Sequence, residues 1–145
     1  MKILIGVDGS PHSKAALDHV KSMTWPKGST FVVLSVSIPM IAYTVVDAGG
    51  LTWMQSAEEE MTTQAQDLAA RVEKELRDAG LSAESQVVKG DPRDALVDTA
   101  RSMHADLVVV GSHGRTGLAK LVLGSVAAHV VTHAPCSVLV VKMKA

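Results

Sequence analysis

Apolar residues in this chain fall into two rhythms: short unbroken runs, and longer stretches that recur every three or four residues. Lys2 to Val7 is a run of Ile, Leu and Val and reads as the first strand. Ser10-Pro11 follows, an N-cap with proline at the first helical position. Ala16, Val20 and Met23 then recur at helical spacing until Trp25-Pro26-Lys27-Gly28 stops the helix. Phe31 to Val36 is the second strand. Its nearly continuous apolar character suits a strand covered on both faces.

Pro39 to Trp53 shows no clear period, although Met40, Ile41, Tyr43, Val45 and Val46 make it apolar for a loop. A long helix comes next. Met54, Ala57, Met61, Ala65, Leu68, Val72, Leu76 and Ala79 alternate steps of three and four. Its methionines read as core filling. Glu58 to Glu60 read as a solvated face placed early in the helix, where acids favour the dipole, and Gly80 closes it.

Leu81 to Val88 is the third strand. Gly90-Asp91-Pro92 repeats the cap-plus-proline signal and opens a helix carrying Ala95, Leu96, Thr99 and Met103. Leu107 to Val110 is the fourth strand. A glycine-rich segment leads to a helix from Ser125 to His133, Pro135 ends it, and Ser137 to Val141 is the fifth strand. Strands and helices alternate throughout. That order predicts an α/β fold, a doubly wound parallel sheet with right-handed crossovers and helices on both faces. Ligands of such sheets sit beyond the carboxyl ends of the strands, near the switch in strand order.

At 145 residues the chain is expected to form a single domain spanning 1–145. Fourteen basic against fifteen acidic residues leave a net charge of −1, so no basic excess points to nucleic acid. Aromatics at 3% also argue against a base-stacking platform. Cys136 stands alone, suits a reducing cytoplasm and reads as a small buried hydrophobe. The first apolar run breaks at Asp8, too early for a secretory leader. Gly28 to Val46 and Leu121 to Val141 lack charged residues, but Ser35, Ser37 and Pro39, and Gly124, His129, His133 and Pro135, interrupt them. A helix-break-strand reading therefore fits better than a membrane span.

Candidate chemistry concentrates after the fourth strand, in Gly111-Ser112-His113-Gly114-Arg115-Thr116-Gly117, with Gly124-Ser125 opening the last helix. Glycines there allow a tight turn and a close approach to a ligand. A helix start presents unpaired N–H groups and the positive end of its dipole. Together they can hold a polyphosphate, with Ser125 either capping the helix or donating to a phosphate, and Arg115 and Lys120 adding charge. The segment lacks the Lys-Ser/Thr of a Walker loop, and its glycines are spaced wrongly for a dinucleotide fingerprint. A glycine-rich turn followed by an ordinary N-cap explains the same residues equally well.

The long spacing Gly111-x2-Gly114-x9-Gly124-Ser125 resembles the nucleotide-binding signature of the universal stress protein family, in its ATP-binding branch. The opening ILIGVDGS, the LSV ending strand two, GSHGRTG and the closing APCSVLVVK extend the resemblance over essentially the whole chain. The resemblance implies strand order 3-2-1-4-5. It implies that Asp8 meets the ribose and a Mg²⁺, and that the main chain of Val36 meets adenine. Gly111 would lie by the ribose, and Gly114, Gly124 and Ser125 would hold phosphates with His113, Val126 and Ala127 nearby. It also implies a cytoplasmic, stress-response regulator.

Asp8 has a physical case of its own. A carboxylate at the end of a buried strand needs a partner, which a ribose hydroxyl, a hydrated Mg²⁺ or the Gly9-Ser10 turn would supply. Among the histidines, His129 and His133 stand four apart without a third metal ligand in view, and His12, His19 and His104 read as ordinary helix positions. A slow ATPase or phosphotransferase is the alternative, yet Asp8, Ser112, His113, Thr116 and Ser125 form no legible catalytic arrangement. A nucleotide-free interaction protein is a third reading, opposed by the intact signature. With strands three and five as edges, Glu84 and Lys89 protect the former. Ser137 to Val141 carries no charge and is expected to pair with its own copy in a homodimer. The apolar Pro39 to Trp53 segment is expected to add a second interface or a lid.

Overall fold

The computed structural model describes residues 1–40, 48–115 and 122–144. The elements in chain order are β1 (Lys2–Val7), α1 (Pro11–Ser22), β2 (Thr30–Ser37), α2 (Ala48–Asp78), β3 (Ser82–Lys89), α3 (Pro92–Ser102), β4 (Leu107–Gly111), α4 (Ser125–His133) and β5 (Ser137–Val141). The strands form one sheet in the order β3-β2-β1-β4-β5, every neighbouring pair parallel. The chain winds from β1 outward to β3, then returns to build β4 and β5 on the other side. The direction of winding reverses between β1 and β4, which opens a crevice at their carboxyl ends.

Successive side chains on a strand point to opposite faces, and both faces here are covered. Ile3, Ile5, Val7, Phe31, Val33 and Val109 pack on one face against Ala16, Leu17 and Val20 of α1 and Leu68, Val72 and Leu76 of α2. Leu4, Val32, Leu34, Val108 and Val110 pack on the other against Leu96 and Ala100 of α3 and Ala127 and Val130 of α4. This two-sided burial is why the strands read as unbroken apolar runs. Cys136 is half-buried against the second cluster, and burial pushes its thiol up, as suits an inert packing residue. No helix among the described residues is long and apolar enough to cross a membrane.

Helix ends follow local chemistry. The Ser10 hydroxyl accepts from Ser13 N at 3.1 Å and caps α1. Gly80 takes φ +84 and ends α2, with Leu81 N donating to Leu76 O and Gly80 N to Arg77 O. The same pair of bonds ends α3, from Ala105 N to Ala100 O and His104 N to Arg101 O. His104 therefore sits past the helix at φ 52, in the left-handed region, and is not the ordinary helix position its sequence suggested.

α2 begins at Ala48, well before Met54, so the end of the aperiodic Pro39–Trp53 segment is helical. Residues 41–47 of that segment lie outside the described ones. A formed helix extends by one hydrogen bond per residue through poor formers such as Gly49 and Gly50, which carry no apolar stripe. Glu58 to Glu60 consequently lie more than two turns inside α2, and no acid occupies its first turn. The helix dipole therefore does not favour them. Glu59 and Glu60 are exposed, whereas Glu58, Met54 and Met61 are half-buried, and the fully buried stripe starts only at Ala65.

Asp91 caps α3, accepting from Arg93 N at 2.9 Å. The Arg93 guanidinium beside it, together with that backbone bond, lowers its carboxyl to about 2. The folded value lies below the ordinary carboxylate value of about 3.9, so the stabilisation is complete above about pH 4 and is lost as pH falls toward 2. The ion pair is largely solvated and adds little, which leaves the cap as the main contribution. Asp91→Ala should cost about 1 kcal/mol, or roughly 2–4 °C of melting temperature, at neutral pH. Melting curves against pH should show that gap closing toward about pH 2, and a gap that persists there would contradict the assignment.

Candidate functional site

β1 ends in a turn built by its own side chains. Asp8 Oδ1 accepts from Ser10 N at 2.9 Å, Gly9 takes φ +78, and Asp8 N donates to Ser13 Oγ at 3.3 Å. The turn-capping role of Asp8 is thus real for Oδ1. Oδ2 lies against Gly114, 3.1 Å from where a Cβ would stand on that residue. A side chain at this position would crowd the carboxylate, which would have to give by a few tenths of an ångström.

β4 ends at Gly111, whose missing Cβ would fall 2.7 Å from the carbonyl carbon of His12. The first turn of α1 therefore abuts the end of β4. Ser112 follows, 2% exposed. Its N–H donates to Val141 O at 2.9 Å, and its carbonyl accepts from Gly124 N at 2.7 Å. The Arg115 Nε donates to Asp8 O at 2.7 Å, clipping the loop to the β1 turn. Gly124 is the cap of α4, and a Cβ on it would lie 3.0 Å from His113 Cα. Ser125 is the first helical residue and is exposed, so it does not cap the helix by its side chain. Ala128 N makes the first helical bond, to Gly124 O, and the N–H groups of Ser125, Val126 and Ala127 precede it.

These segments surround one cavity of about 470 Å³. Asp8, Val36, Gly111, His113, Gly114, Gly124, Ser125, Val126 and Ala127 all line it. Asp8 supplies the one carboxylate among its described lining residues. β1 pairs with β2 only as far as Ser35, while β3 stays alongside to Lys89, so Val36 and Ser37 overhang the end of β1 at the cavity. Lys120, Thr116 and Gly117 lie outside the described residues.

Sequence reasoning missed the apolar wall of Leu34, Ile38, Pro92 and Leu96. Half of it was accessible: Leu34, Val36 and Ile38 share one face by strand alternation once Val36 is placed. Pro92 and Leu96, one turn apart on α3, arrive from a different crossover and have no local marker. Gly6 admits this helix, since a Cβ there would meet Leu96 Cδ2 at 2.9 Å. His12, read as an ordinary helix position, instead reaches Ser112 across the fold. His129 and His133 stack at 4.2 Å with His129 Nε2 3.5 Å from Asp94. Among the described residues no group of three or more His, Cys, Asp or Glu could hold a metal.

The sequence profile of the Universal stress protein family matches residues 1–142. Universal stress protein MJ0577 of Methanocaldococcus jannaschii is 31% identical, the alignment covering 99% of this chain and 95% of that protein. A solved structure of MJ0577 superposes with a TM-score of 0.86 at 30% identity, covering 99% of this chain and 96% of that one. Universal stress protein Sll1388 of Synechocystis sp. is 30% identical, with 97% of each chain covered. A universal stress protein solved in complex with cAMP is 28% identical, with a TM-score of 0.63 and coverage of 98% and 96%. With its profile matched almost from end to end and its sheet wound in the order 3-2-1-4-5, this chain belongs to the universal stress protein family.

Proposed function

We propose that this chain binds ATP with Mg²⁺ in the cavity at the ends of β1, β2 and β4, and that nucleotide occupancy regulates a partner during stress. The carrying observation is convergence: residues from three strand ends and one helix start line a single cavity. Its walls differ in kind. Leu34, Val36, Ile38, Pro92 and Leu96 offer an apolar slot for a base, and the overhanging main chain of Val36 supplies polar atoms beside it. His113, Gly114, Arg115, Gly124 and the N–H groups opening α4 suit phosphates. A relative at 28% identity was solved with cAMP, an adenine nucleotide, which supports the base assignment.

Mg²⁺ keeps several waters and takes one or two carboxylates plus phosphate oxygens. Asp8 Oδ2 fits that donor set. Bound there, the ion would neutralise phosphate charge. Oδ1 is engaged by Ser10 N, so Asp8 is better suited to holding than to proton transfer. We therefore assign binding rather than consumption, in the cytoplasm.

Mass analysis of nucleotide released on denaturation, followed by calorimetry, tests this reading. ATP should bind more tightly than GTP, and bound samples should release little phosphate over hours. Equal affinity for the two would remove the adenine assignment. Sustained hydrolysis abolished by changing Asp8 or His113 would favour the enzyme.

We further propose a homodimer through the β5 edge. β3, the opposite edge, carries exposed Glu84 and Lys89, which oppose strand pairing. Ser137–Val141 has no charge, and a two-fold axis closes such a pairing. Light scattering should give twice the chain mass at micromolar concentration, and a monomer there would refute the dimer.

A further inference from the structure

The peptide joining Asp8 to Gly9 sits where the β1 turn meets the cavity, and little inside the turn holds it. Gly9 has φ +78, and a Cβ on it would meet one atom, Leu68 Cδ2, at an ordinary 3.7 Å. A glycine on the far side of a peptide lets that peptide flip at low steric cost. The turn's own bonds use other groups of Asp8. Oδ1 accepts from Ser10 N at 2.9 Å, and the main-chain N–H donates to Ser13 Oγ at 3.3 Å. Among the described residues the peptide itself makes one hydrogen bond, from Arg115 Nε to Asp8 O at 2.7 Å, across 107 residues. The guanidinium takes the carbonyl and makes no ion pair with the Asp8 carboxylate. Oδ2 is thus left to the cavity, beside Gly114.

We propose that Arg115 is a positioning residue for Asp8: by taking the main-chain carbonyl it locks the Asp8–Gly9 peptide in the orientation that presents Oδ2 to a metal-bound phosphate. The inference rests on the cavity being the nucleotide site. Flipping the peptide would turn the carbonyl away and bring the Gly9 N–H to face Arg115, a donor against a donor. The same rotation about the Asp8 Cα–C bond would carry Ser10 N off Oδ1, and the carboxylate would lose its fixed direction. Mg²⁺ demands near-ideal octahedral geometry, so a carboxylate without a fixed direction holds it more weakly. Nε is the atom that matters. Lysine keeps the charge but puts a methylene where Nε stands, with its ammonium one atom beyond. One substitution therefore separates positioning from charge.

Amide ¹⁵N relaxation dispersion on the nucleotide-free protein, together with ATP titrations in Mg²⁺ and in EDTA, tests this. In the wild type the Gly9 and Ser10 amides should show no microsecond-to-millisecond exchange. Arg115→Lys should introduce exchange at both. Arg115→Met, which keeps a similar stem without a donor, should do the same. Arg115→Lys should also cut the gain in ATP affinity that Mg²⁺ gives by roughly three- to tenfold, while ATP in EDTA binds within about twofold of wild type. Asp8→Asn should remove the same gain, and adding Arg115→Lys to it should cost nothing further. Exchange at Gly9 already present in the wild type, or amides unchanged in both Arg115 variants, would overturn the inference. So would an Arg115→Lys loss equal with and without Mg²⁺, the mark of a plain phosphate contact, or additive losses in the double variant. A wild type that binds no ATP, or binds it with no gain from Mg²⁺, would overturn the Mg²⁺-nucleotide reading itself, and the amide signals of the nucleotide-free protein would still decide whether Arg115 fixes the peptide.

Discussion

Gly111→Ala should destabilise the fold by about 2–3 kcal/mol, near the upper end for overpacking, and lower the melting temperature by roughly 5–10 °C. The added methyl meets main chain, not a movable side chain: it falls 2.7 Å from His12 C and 2.8 Å from His12 O. Relief requires shifting α1, whose Ala16, Leu17 and Val20 are buried in the core. Two other glycines calibrate the result. At Gly6 the methyl meets the far end of Leu96, which can turn aside. At Gly28 nothing lies within 4 Å, and the cost is only that of φ +81, about 1–2 kcal/mol. Gly111→Ala should melt lowest of the three. If it melts with or above Gly28→Ala, α1 does not pack on β4 as described. Because the shift displaces the wall carrying Ser112 and His113, ATP affinity should fall in the same variant.

Ser125→Ala should weaken ATP roughly ten- to a hundredfold, the loss of a hydroxyl donor to a charged group of about 1.5–3 kcal/mol. Its melting temperature should stay at the wild-type value, because Gly124 occupies the cap position and Ser125 is an exposed first helical residue. Gly124→Val should abolish ATP binding for a reason internal to the protein. Its side chain would press on His113 Cα at 3.0 Å and Ser112 O at 3.2 Å, pushing the loop off the helix start before any ligand arrives. One melting curve and one ATP titration per variant read both outcomes. Unchanged ATP affinity in the two variants, each folded, would mean that α4 holds no phosphate.

Asp8 shows how far local reasoning reaches. Its position at the end of β1 and its bond to Ser10 N are set by neighbours within two residues, and both readings of it could be weighed from the sequence. That Oδ2 meets Gly114 is a contact across more than a hundred residues, and no spacing rule yields it. His104 is the converse case. It stands where glycine is usual, and only the bond from Ala105 to Ala100 shows that α3 has already ended.

The sequence by itself determined the order and kind of the elements, because periodicity and caps are local: two-sided apolar runs make buried strands, and Ser10-Pro11 and Asp91-Pro92 start helices. It also carried Gly111, Gly114 and Gly124 at a spacing that resembles the family's nucleotide-binding signature. The tertiary structure decided what those glycines are for. Gly6, Gly111 and Gly124 each clear a path for another part of the chain, Leu96, His12 and His113 respectively. It likewise decided the apolar wall of the cavity and the bond from Arg115 Nε to Asp8 O. Such contacts join segments that parallel crossovers bring together, and their partners are chosen by packing across the sheet, which leaves no mark on the residues beside them.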